Sequence, residues 1–274
     1  MTPVQSLRPA SRWLLLAAGA AVLLGGLAGC ATGPGGLGDP TELHTAIDDS
    51  PARARARTRL ALATSYFQNN QPEVALDEVK KVLQVDPSFA DAYNLGGLIY
   101  LRLDQQAMAE SHFQRAINLN PRDANAMHNL GWLQCQQGRY PEAAQSFQRA
   151  IAVPGYQGRA RTMMAQGICE SRAGDNVRAE ATLKQSYELD PGNPVTAYNL
   201  SLLLYKRGDY QRAQFFIRRL NNSELANAES LWLGIRVERR LNDRQASDQL
   251  ASQLRRRFSQ SREYQAYERG AFDD

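Results

Sequence analysis

Residues of one kind recur along this chain at intervals of 34 positions. Alanine does so at Ala75, Ala109 and Ala143, and glycine does so at Gly97 and Gly131. A period of this length is typical of a repeat made of two helices, neither of which buries its apolar face without a neighbouring repeat. We therefore predict an all-α solenoid. Bulky residues and prolines keep the same interval, at Tyr66 and Tyr100, Phe113 and Phe147, and Pro87 and Pro121.

The order of residue types within each interval resembles the tetratricopeptide repeat. Small residues there let the two helices of a repeat approach closely, and a proline such as Pro121 ends the second helix because it cannot continue one. The resemblance implies a right-handed superhelical solenoid of about six helix pairs. It also implies a groove, lined by the first helix of each pair, that holds another polypeptide.

The repeats differ in regularity. A two-residue shift at residues 154–156 separates the third repeat from the fourth, and the sixth repeat lacks a closing proline. Such drift is expected of a terminal repeat, since one of its faces meets water. Ser50 is expected to cap the first helix, with Pro51 at its first position. The predicted solenoid spans residues 51–262 with repeats near 56–89, 90–123, 124–157, 160–193, 194–226 and 227–260, and a C-terminal tail follows at 263–274.

The first thirty residues form a segment of a different kind. Arg8 and Arg12 precede an apolar run at residues 13–27, and small residues follow up to Cys30. This order is typical of a signal peptide, here residues 1–29. The ending Leu27-Ala28-Gly29-Cys30 resembles the bacterial lipobox, which implies acylation of Cys30; an ordinary signal peptide or an uncleaved anchor is the alternative. In Gram-negative lipoproteins an aspartate after the cysteine favours the inner membrane, so Ala31 implies an anchor in the outer membrane, facing the periplasm.

Residues 30–50 are predicted to hold the lipidated cysteine and a flexible tether. The stretch 33–38 is rich in glycine and also contains proline, a composition that does not pack into a core;. A tether of this length has a root-mean-square span of about 25 Å, which would hold the solenoid away from the membrane surface.

Charge and motif content exclude several classes of function. The formal net charge is +4, and removal of residues 1–29 takes away Arg8 and Arg12 and leaves +2. That balance is too small to indicate nucleic-acid binding. The sequence has no zinc-protease motif, no phosphate-binding loop and no serine elbow, and its three histidines have no metal-ligand spacing;. We predict no catalytic residue, metal, cofactor or small-molecule substrate.

Two cysteines remain after Cys30. Cys135 and Cys169 both lie late in the first helix of consecutive predicted repeats, and such helices are neighbours in a stack;. An oxidising periplasm favours a disulfide between them. Two buried free thiols are the alternative, because their helical phases differ by about two residues and their Cβ atoms then point apart.

The tetratricopeptide resemblance also implies which side chains line the groove. They occupy the second, fifth, ninth and twelfth positions of each first helix. The resulting surface is apolar and aromatic, it lacks a clamp of lysines and arginines, and its continuous apolar strip is typical of a partner site. Packing between helices is the alternative for several members. The predicted groove residues are Leu60, Thr64, Phe67, Asn94, Leu98, Leu101, His128, Trp132, Met164, Ile168, Tyr198, Leu202 and Tyr205.

The whole arrangement resembles the PilF/PilW family of type IV pilus biogenesis lipoproteins. A lipobox, a glycine-rich tether and about six repeats carry the resemblance, together with the segments 61–67, 91–95 and 261–270. Membership would imply a pilotin, a lipoprotein that binds secretin subunits and carries them to the outer membrane for assembly into the pilus pore.

Two other classes of function are compatible with the same residues. One is a tetratricopeptide lipoprotein that recruits cell-wall enzymes or joins the outer-membrane assembly machinery. The other is an enzyme or chaperone that acts on substrates in the envelope. The secretin as partner rests on the family resemblance alone.

Overall fold

The computed structural model describes residues 50–272. Within this range the chain forms thirteen α-helices and no β-strand, so the predicted all-α fold is confirmed. None of these thirteen helices is both long and apolar enough to cross a membrane. Their bounds are α1 Pro51–Gln68, α2 Pro72–Val85, α3 Ala90–Arg102, α4 Gln106–Leu119, α5 Ala124–Gln136, α6 Tyr140–Ala152, α7 Arg159–Arg172, α8 Asn176–Leu189, α9 Pro194–Arg207, α10 Tyr210–Asn221, α11 Ala228–Arg240, α12 Arg244–Phe258 and α13 Arg262–Glu268.

The first twelve helices form six consecutive pairs. Each helix packs against its partner in the pair, and each second helix also packs against the first helix of the next pair. The first helices α1, α3, α5, α7, α9 and α11 contact one another in turn and so form a continuous stack;. Helix α1 begins at Pro51, ahead of residue 56 where the repeat register begins, because Ser50 accepts a hydrogen bond from the backbone N of Arg53 at 3.1 Å;.

Glycines in the first helices allow close packing within a pair. A Cβ atom at Gly97 would lie 2.4 Å from the ring of Phe113, and a Cβ atom at Gly131 would lie 2.9 Å from the ring of Phe147. Carbon atoms do not approach this closely, so the aromatic ring of the second helix lies against bare backbone. Both rings are completely buried as a result.

The turn inside each pair contains one residue with a positive φ angle. Glycine adopts this left-handed conformation without strain, and asparagine and aspartate tolerate it better than other residues. The same turn is therefore made with three different residue types. The six residues and their φ angles are Asn70 (57°), Asp104 (57°), Gly138 (74°), Gly174 (84°), Gly208 (86°) and Asn242 (60°).

The two-residue shift between the third and fourth repeats lies in the loop between α6 and α7. Gly155 has a φ angle of 74° and reverses the chain there;. The Tyr156 hydroxyl then lies 3.0 Å from Oγ1 of the buried Thr162 in α7. The loop thus absorbs the extra residues, and α7 still stacks between α5 and α9.

The C-terminal segment is packed onto the solenoid. Helix α13 contacts both α11 and α12. Tyr264, Tyr267 and Phe272 join the apolar cluster around Leu231 and Leu254 of the last pair. The boundary that the sequence analysis placed at residue 262 therefore separates parts that pack together, because these aromatic rings cover the apolar face that the last repeat would otherwise expose to water.

Candidate protein-binding groove

We call the exposed surface of the stacked first helices the groove. It is formed by α1, α3, α5, α7, α9 and α11, and every predicted groove residue lies on one of the first five of these helices. Twelve of the thirteen side chains are partly exposed, which is the burial expected of residues that line a surface and also pack between helices;. The exception is Tyr205, which is 8% exposed.

Tyr205 is covered by its neighbours. The guanidinium carbon of Arg236 lies 4.8 Å from the centroid of its ring, and the Tyr210 ring lies 5.4 Å away. The sequence position alone did not reveal this, because Arg236 comes from the next first helix. Tyr205 is thus a core residue in the structure and offers almost no surface to a partner.

The groove contains a cavity of about 790 Å³. Four predicted groove residues form its apolar wall: Phe67, Leu98, Leu101 and Trp132. They come from three successive first helices, α1, α3 and α5, so the stacking of the repeats assembles this wall. Partly exposed aromatic and leucine side chains gathered in one cavity are the usual anchors of a protein interface.

Two arginines complete this cavity, and neither is among the predicted groove residues. Arg102 ends α3 and Arg172 ends α7. The guanidinium carbon of Arg102 lies 5.3 Å from the centroid of the Phe67 ring, and that of Arg172 lies 5.2 Å from the Trp132 ring. The expectation of a groove without a cationic clamp is therefore wrong for this cavity. Arg102 and Arg172 each lie one position beyond the expected lining register, and a basic residue at that position is the signal that would have found them.

Two predicted groove residues form hydrogen bonds with other side chains of the protein. Nδ1 of His128 lies 3.0 Å from Oγ1 of Thr162, and Oδ1 of Asn94 accepts a hydrogen bond from Nδ2 of Asn129 at 2.9 Å. Burial lowers the pKa of His128 to about 4, with a smaller contribution from the nearby charge of Arg161;. The imidazole is therefore neutral at neutral pH, and both side chains join adjacent repeats.

The remaining predicted members differ in their surroundings. The hydroxyl of Thr64 donates to the backbone oxygen of Leu60 at 2.9 Å, a bond within its own helix. Ile168, Tyr198 and Leu202 pack against the apolar cluster of the fifth repeat. Burial raises the pKa of Tyr198, and the carboxylates of α11 and α13 add to this effect;. Met164 is partly exposed on α7.

The chain itself covers the last repeat of the groove. Trp232 and Arg236 of α11 occupy the positions equivalent to Tyr198 and Leu202 of α9, and neither is among the predicted groove residues. The Trp232 and Phe272 rings lie 5.3 Å apart, and Nε of Arg236 donates to the backbone oxygen of Phe272 at 3.1 Å. The free groove therefore runs from α1 to α9.

A disulfide joins two neighbouring helices of the groove. Cys135 of α5 and Cys169 of α7 are bonded, with their Cα atoms 5.8 Å apart. Both residues are buried, and Trp132 and Tyr140 pack against them. Of the two alternatives that the sequence left open, the structure contains the bridge. It ties the third repeat to the fourth directly behind the cavity wall.

Metal-binding chemistry has no support in the part of the chain that is described. Residues 50–272 contain no group of three histidine, cysteine or acidic side chains that would hold a metal ion. The side chains of the groove offer apolar surface, hydrogen bonds and positive charge, which are the means of non-covalent binding.

Comparisons with known proteins agree with this geometry. Three models of the tetratricopeptide repeat match residues 60–117, 97–154 and 172–231. The type IV pilus assembly protein PilF of Pseudomonas aeruginosa is 29% identical over 244 residues, which cover 89% of this chain and 94% of that protein. The chain belongs to the PilF/PilW-like family of tetratricopeptide-repeat proteins.

Solved structures of the family have the same fold. The structure of PilF from Pseudomonas aeruginosa matches with a TM-score of 0.72 and 28% identity, over 80% of this chain and 99% of that chain. The structure of PilW, described as a widely conserved type IV pilus biogenesis factor, matches with a TM-score of 0.71 and 26% identity, over 78% and 98% of the two chains. Proteins of this PilF/PilW-like family are interaction adaptors and not enzymes, so the groove is the functional surface to explain.

Proposed function

We propose that this protein is an outer-membrane pilotin of type IV pilus biogenesis. In this proposal acyl chains on Cys30 anchor it in the outer membrane, and the groove faces the periplasm and binds a segment of the pilus secretin. Binding promotes the localisation of the secretin to the outer membrane and its multimerisation there, which supports pilus assembly and twitching motility. The likeness to PilF over nearly the whole of both chains is the observation that carries the proposal.

The cavity of the groove supports capture of a polypeptide. Its wall of Phe67, Leu98, Leu101 and Trp132 is partly exposed, although each of these side chains is large and apolar. Burying such anchors under a partner contributes about 25 cal/mol for each Å² of apolar surface removed from water. A secretin segment that places apolar side chains in this cavity would gain most of its affinity there.

The proposed anchor acts by raising the effective concentration of the adaptor and the secretin, and it catalyses no reaction. Cys30 and residues 31–49 of the tether lie outside the described residues. Each buried methylene of an acyl chain contributes about 0.8 kcal/mol, so several chains would hold the protein firmly on the membrane. Confining the adaptor and the secretin to one membrane surface raises their effective concentration without any new contact.

Replacement of the anchor cysteine tests this role. In a strain whose own copy carries Cys30→Ala, we expect secretin multimers to disappear from the outer membrane and monomers to collect elsewhere. Membrane fractionation followed by electrophoresis of the unheated secretin measures both. Normal multimers in the correct membrane, at normal levels of the variant, would refute the pilotin.

A charge in the cavity tests the binding surface. Leu98→Asp or Trp132→Asp should abolish secretin capture and leave the helical content unchanged, because an aspartate cannot be buried there under an apolar partner. Val177→Asp is the matched control, since Val177 is 82% exposed on α8 and away from the cavity wall. Undiminished capture by the cavity variants would place the site elsewhere. Recovery of cell-wall enzymes or barrel-assembly proteins in place of the secretin would favour the alternative scaffold.

A further inference from the structure

The cationic residues at the cavity indicate the chemistry of the partner. We infer that the groove selects an acidic apolar segment, which places an apolar side chain against Leu98 and Trp132 and carboxylates against Arg102 and Arg172. The inference rests on the proposed function, because it assumes that a polypeptide occupies the groove. The inference adds a requirement for carboxylates in the bound segment, which binding to an apolar surface alone does not impose.

The charge of both arginines is uncompensated by an ion pair within residues 50–272. Among residues 50–272 neither Arg102 nor Arg172 forms an ion pair, and Arg102 donates from Nη1 to the neutral Oδ1 of Asn70 at 2.8 Å. One acidic residue, Asp104, lies on the cavity lining and pairs with neither guanidinium. Lys206, exposed in the last turn of α9, continues the positive charge along the same end of the first helices.

Several other arginines of residues 50–272 are paired with carboxylates. Arg139 pairs with Glu110 at 2.8 Å, and Arg218 pairs with Glu238 at 2.7 Å. These pairs join neighbouring repeats, so carboxylates are placed where the fold needs them. No carboxylate of residues 50–272 pairs with either cavity arginine, which leaves both available to a negative charge from a partner.

The geometry prepares both guanidinium groups for a carboxylate. Arg102 and Arg172 each lie over an aromatic ring of the wall, Phe67 and Trp132 respectively. Contact with a ring face holds the planar group. The N–H groups other than the one that Arg102 already donates to Asn70 remain available to a carboxylate;. A cation at the end of a helix also interacts favourably with the helix dipole, but that effect does not require the side chain to lie over a ring in the cavity.

The low polarity of the wall increases the strength of such a pair. Once an apolar side chain of the partner fills the cavity, water is displaced from beside the two guanidinium groups. Attraction between opposite charges grows as the surrounding dielectric constant falls. Apolar contact and charge recognition therefore act together, and a segment with only one of the two properties would bind weakly.

Three short synthetic peptides test the inference with the purified full-length chain in detergent. They share one pattern of leucines and carry aspartate, asparagine or lysine at the intervening positions. Fluorescence anisotropy of the labelled peptides measures each Kd at low and at high salt. We expect the aspartate peptide to bind about tenfold more tightly than the asparagine peptide, the lysine peptide to bind most weakly, and high salt to reduce the difference.

Paired variants separate the charge from the surface. Arg102→Gln with Arg172→Gln should make the aspartate and asparagine peptides equal. Arg122→Gln with Arg149→Gln removes the same charge from exposed positions outside the cavity and should leave the preference intact. Equal binding of the aspartate and asparagine peptides to the unaltered chain, absence of binding by the aspartate peptide, or a preference that survives the first pair of substitutions would overturn the inference.

The same measurements distinguish failure of the selection rule from failure of the groove. If the peptides bind without preference and Trp132→Ala weakens all of them equally, the groove remains a binding surface and the acidic rule falls. If Trp132→Ala changes no Kd, the binding site lies elsewhere, and the acidic rule falls together with this cavity as the binding surface.

Discussion

Removal of the disulfide between Cys135 and Cys169 should destabilise the solenoid by an amount that follows from the chain. The two residues are separated by 34 positions in sequence. Closing a loop of this length lowers the entropy of the unfolded chain by about 13 cal/mol/K, which corresponds to about 3.8 kcal/mol of stability at room temperature. Reduction should lower the free energy of unfolding by about that amount.

The assay must separate the cross-link from side-chain packing. Both cysteines are buried, at 2% and 3% exposure, so reduced thiols keep most of their contacts. Urea unfolding followed by circular dichroism, with and without dithiothreitol, therefore reports the cross-link alone. The double variant Cys135→Ala and Cys169→Ala should resemble the reduced protein and should not respond to the reductant.

One result would refute this reasoning. If mass spectrometry shows the bridge in the oxidised protein and its reduction leaves the urea midpoint unchanged, the bridge does not restrict the unfolded chain as argued. A loss of secretin or peptide binding on reduction, with stability unchanged, would instead indicate that the bridge only positions α5 and α7 in the groove.

Three further perturbations have defined outcomes. Gly97→Ala should cost about 1 to 3 kcal/mol in a thermal melt, because the new Cβ atom would lie 2.4 Å from the ring of Phe113;. Arg218→Ala should cost about 3 kcal/mol in urea unfolding, because it leaves the carboxylate of Glu238, whose side chain is 1% exposed, without its charged partner;. His128 should make stability depend on pH. Burial lowers its pKa from the ordinary 6.5 to about 4, so the unfolded chain takes up the proton first as the pH falls;. The stability that neutral His128 contributes, about 3 kcal/mol, is fully present above pH 6.5 and is lost as the pH falls towards 4;. An NMR titration of the ring measures its pKa.

Each of these outcomes has a control. Gly192→Ala should be tolerated, since its new Cβ atom would meet only Oδ1 of Asp190 at 3.5 Å. Arg178→Ala removes a guanidinium that is 72% exposed and should change stability little;. His128→Gln should remove its share of the pH dependence. A stable Gly97→Ala protein, an unaffected Arg218→Ala protein or a His128 ring that titrates near 6.5 would each contradict the corresponding argument.

The fold could be predicted because its determinants are local and periodic. Gly97, Phe113 and their equivalents one period later occupy fixed positions within the repeat. In both repeats the aromatic ring of the second helix packs against the glycine of the first;. The turn residues are less regular in type, since Asn70 and Asp104 take the left-handed conformation that glycine takes in later repeats. Those positions could have been found from the period, although the residue types alone do not mark them.

The groove could be predicted only in outline. The register identifies the faces of the first helices, and it correctly led to the apolar wall that contains Phe67 and Trp132. It did not show that Tyr205 is covered or that Asn94 and His128 are engaged with neighbouring repeats, because those contacts come from side chains about one period away.

The sequence by itself determined the repeat, the number of helix pairs and the order in which the first helices line one surface, since each depends on residues close together in the chain. Tertiary structure alone decided which parts of that surface are open. Arg102 and Arg172 meet at one cavity although they are two repeats apart, and Phe272 closes the far end by lying on Trp232. These contacts depend on how the repeats stack and on which side chains lie across from one another, so only the folded chain shows which residues meet.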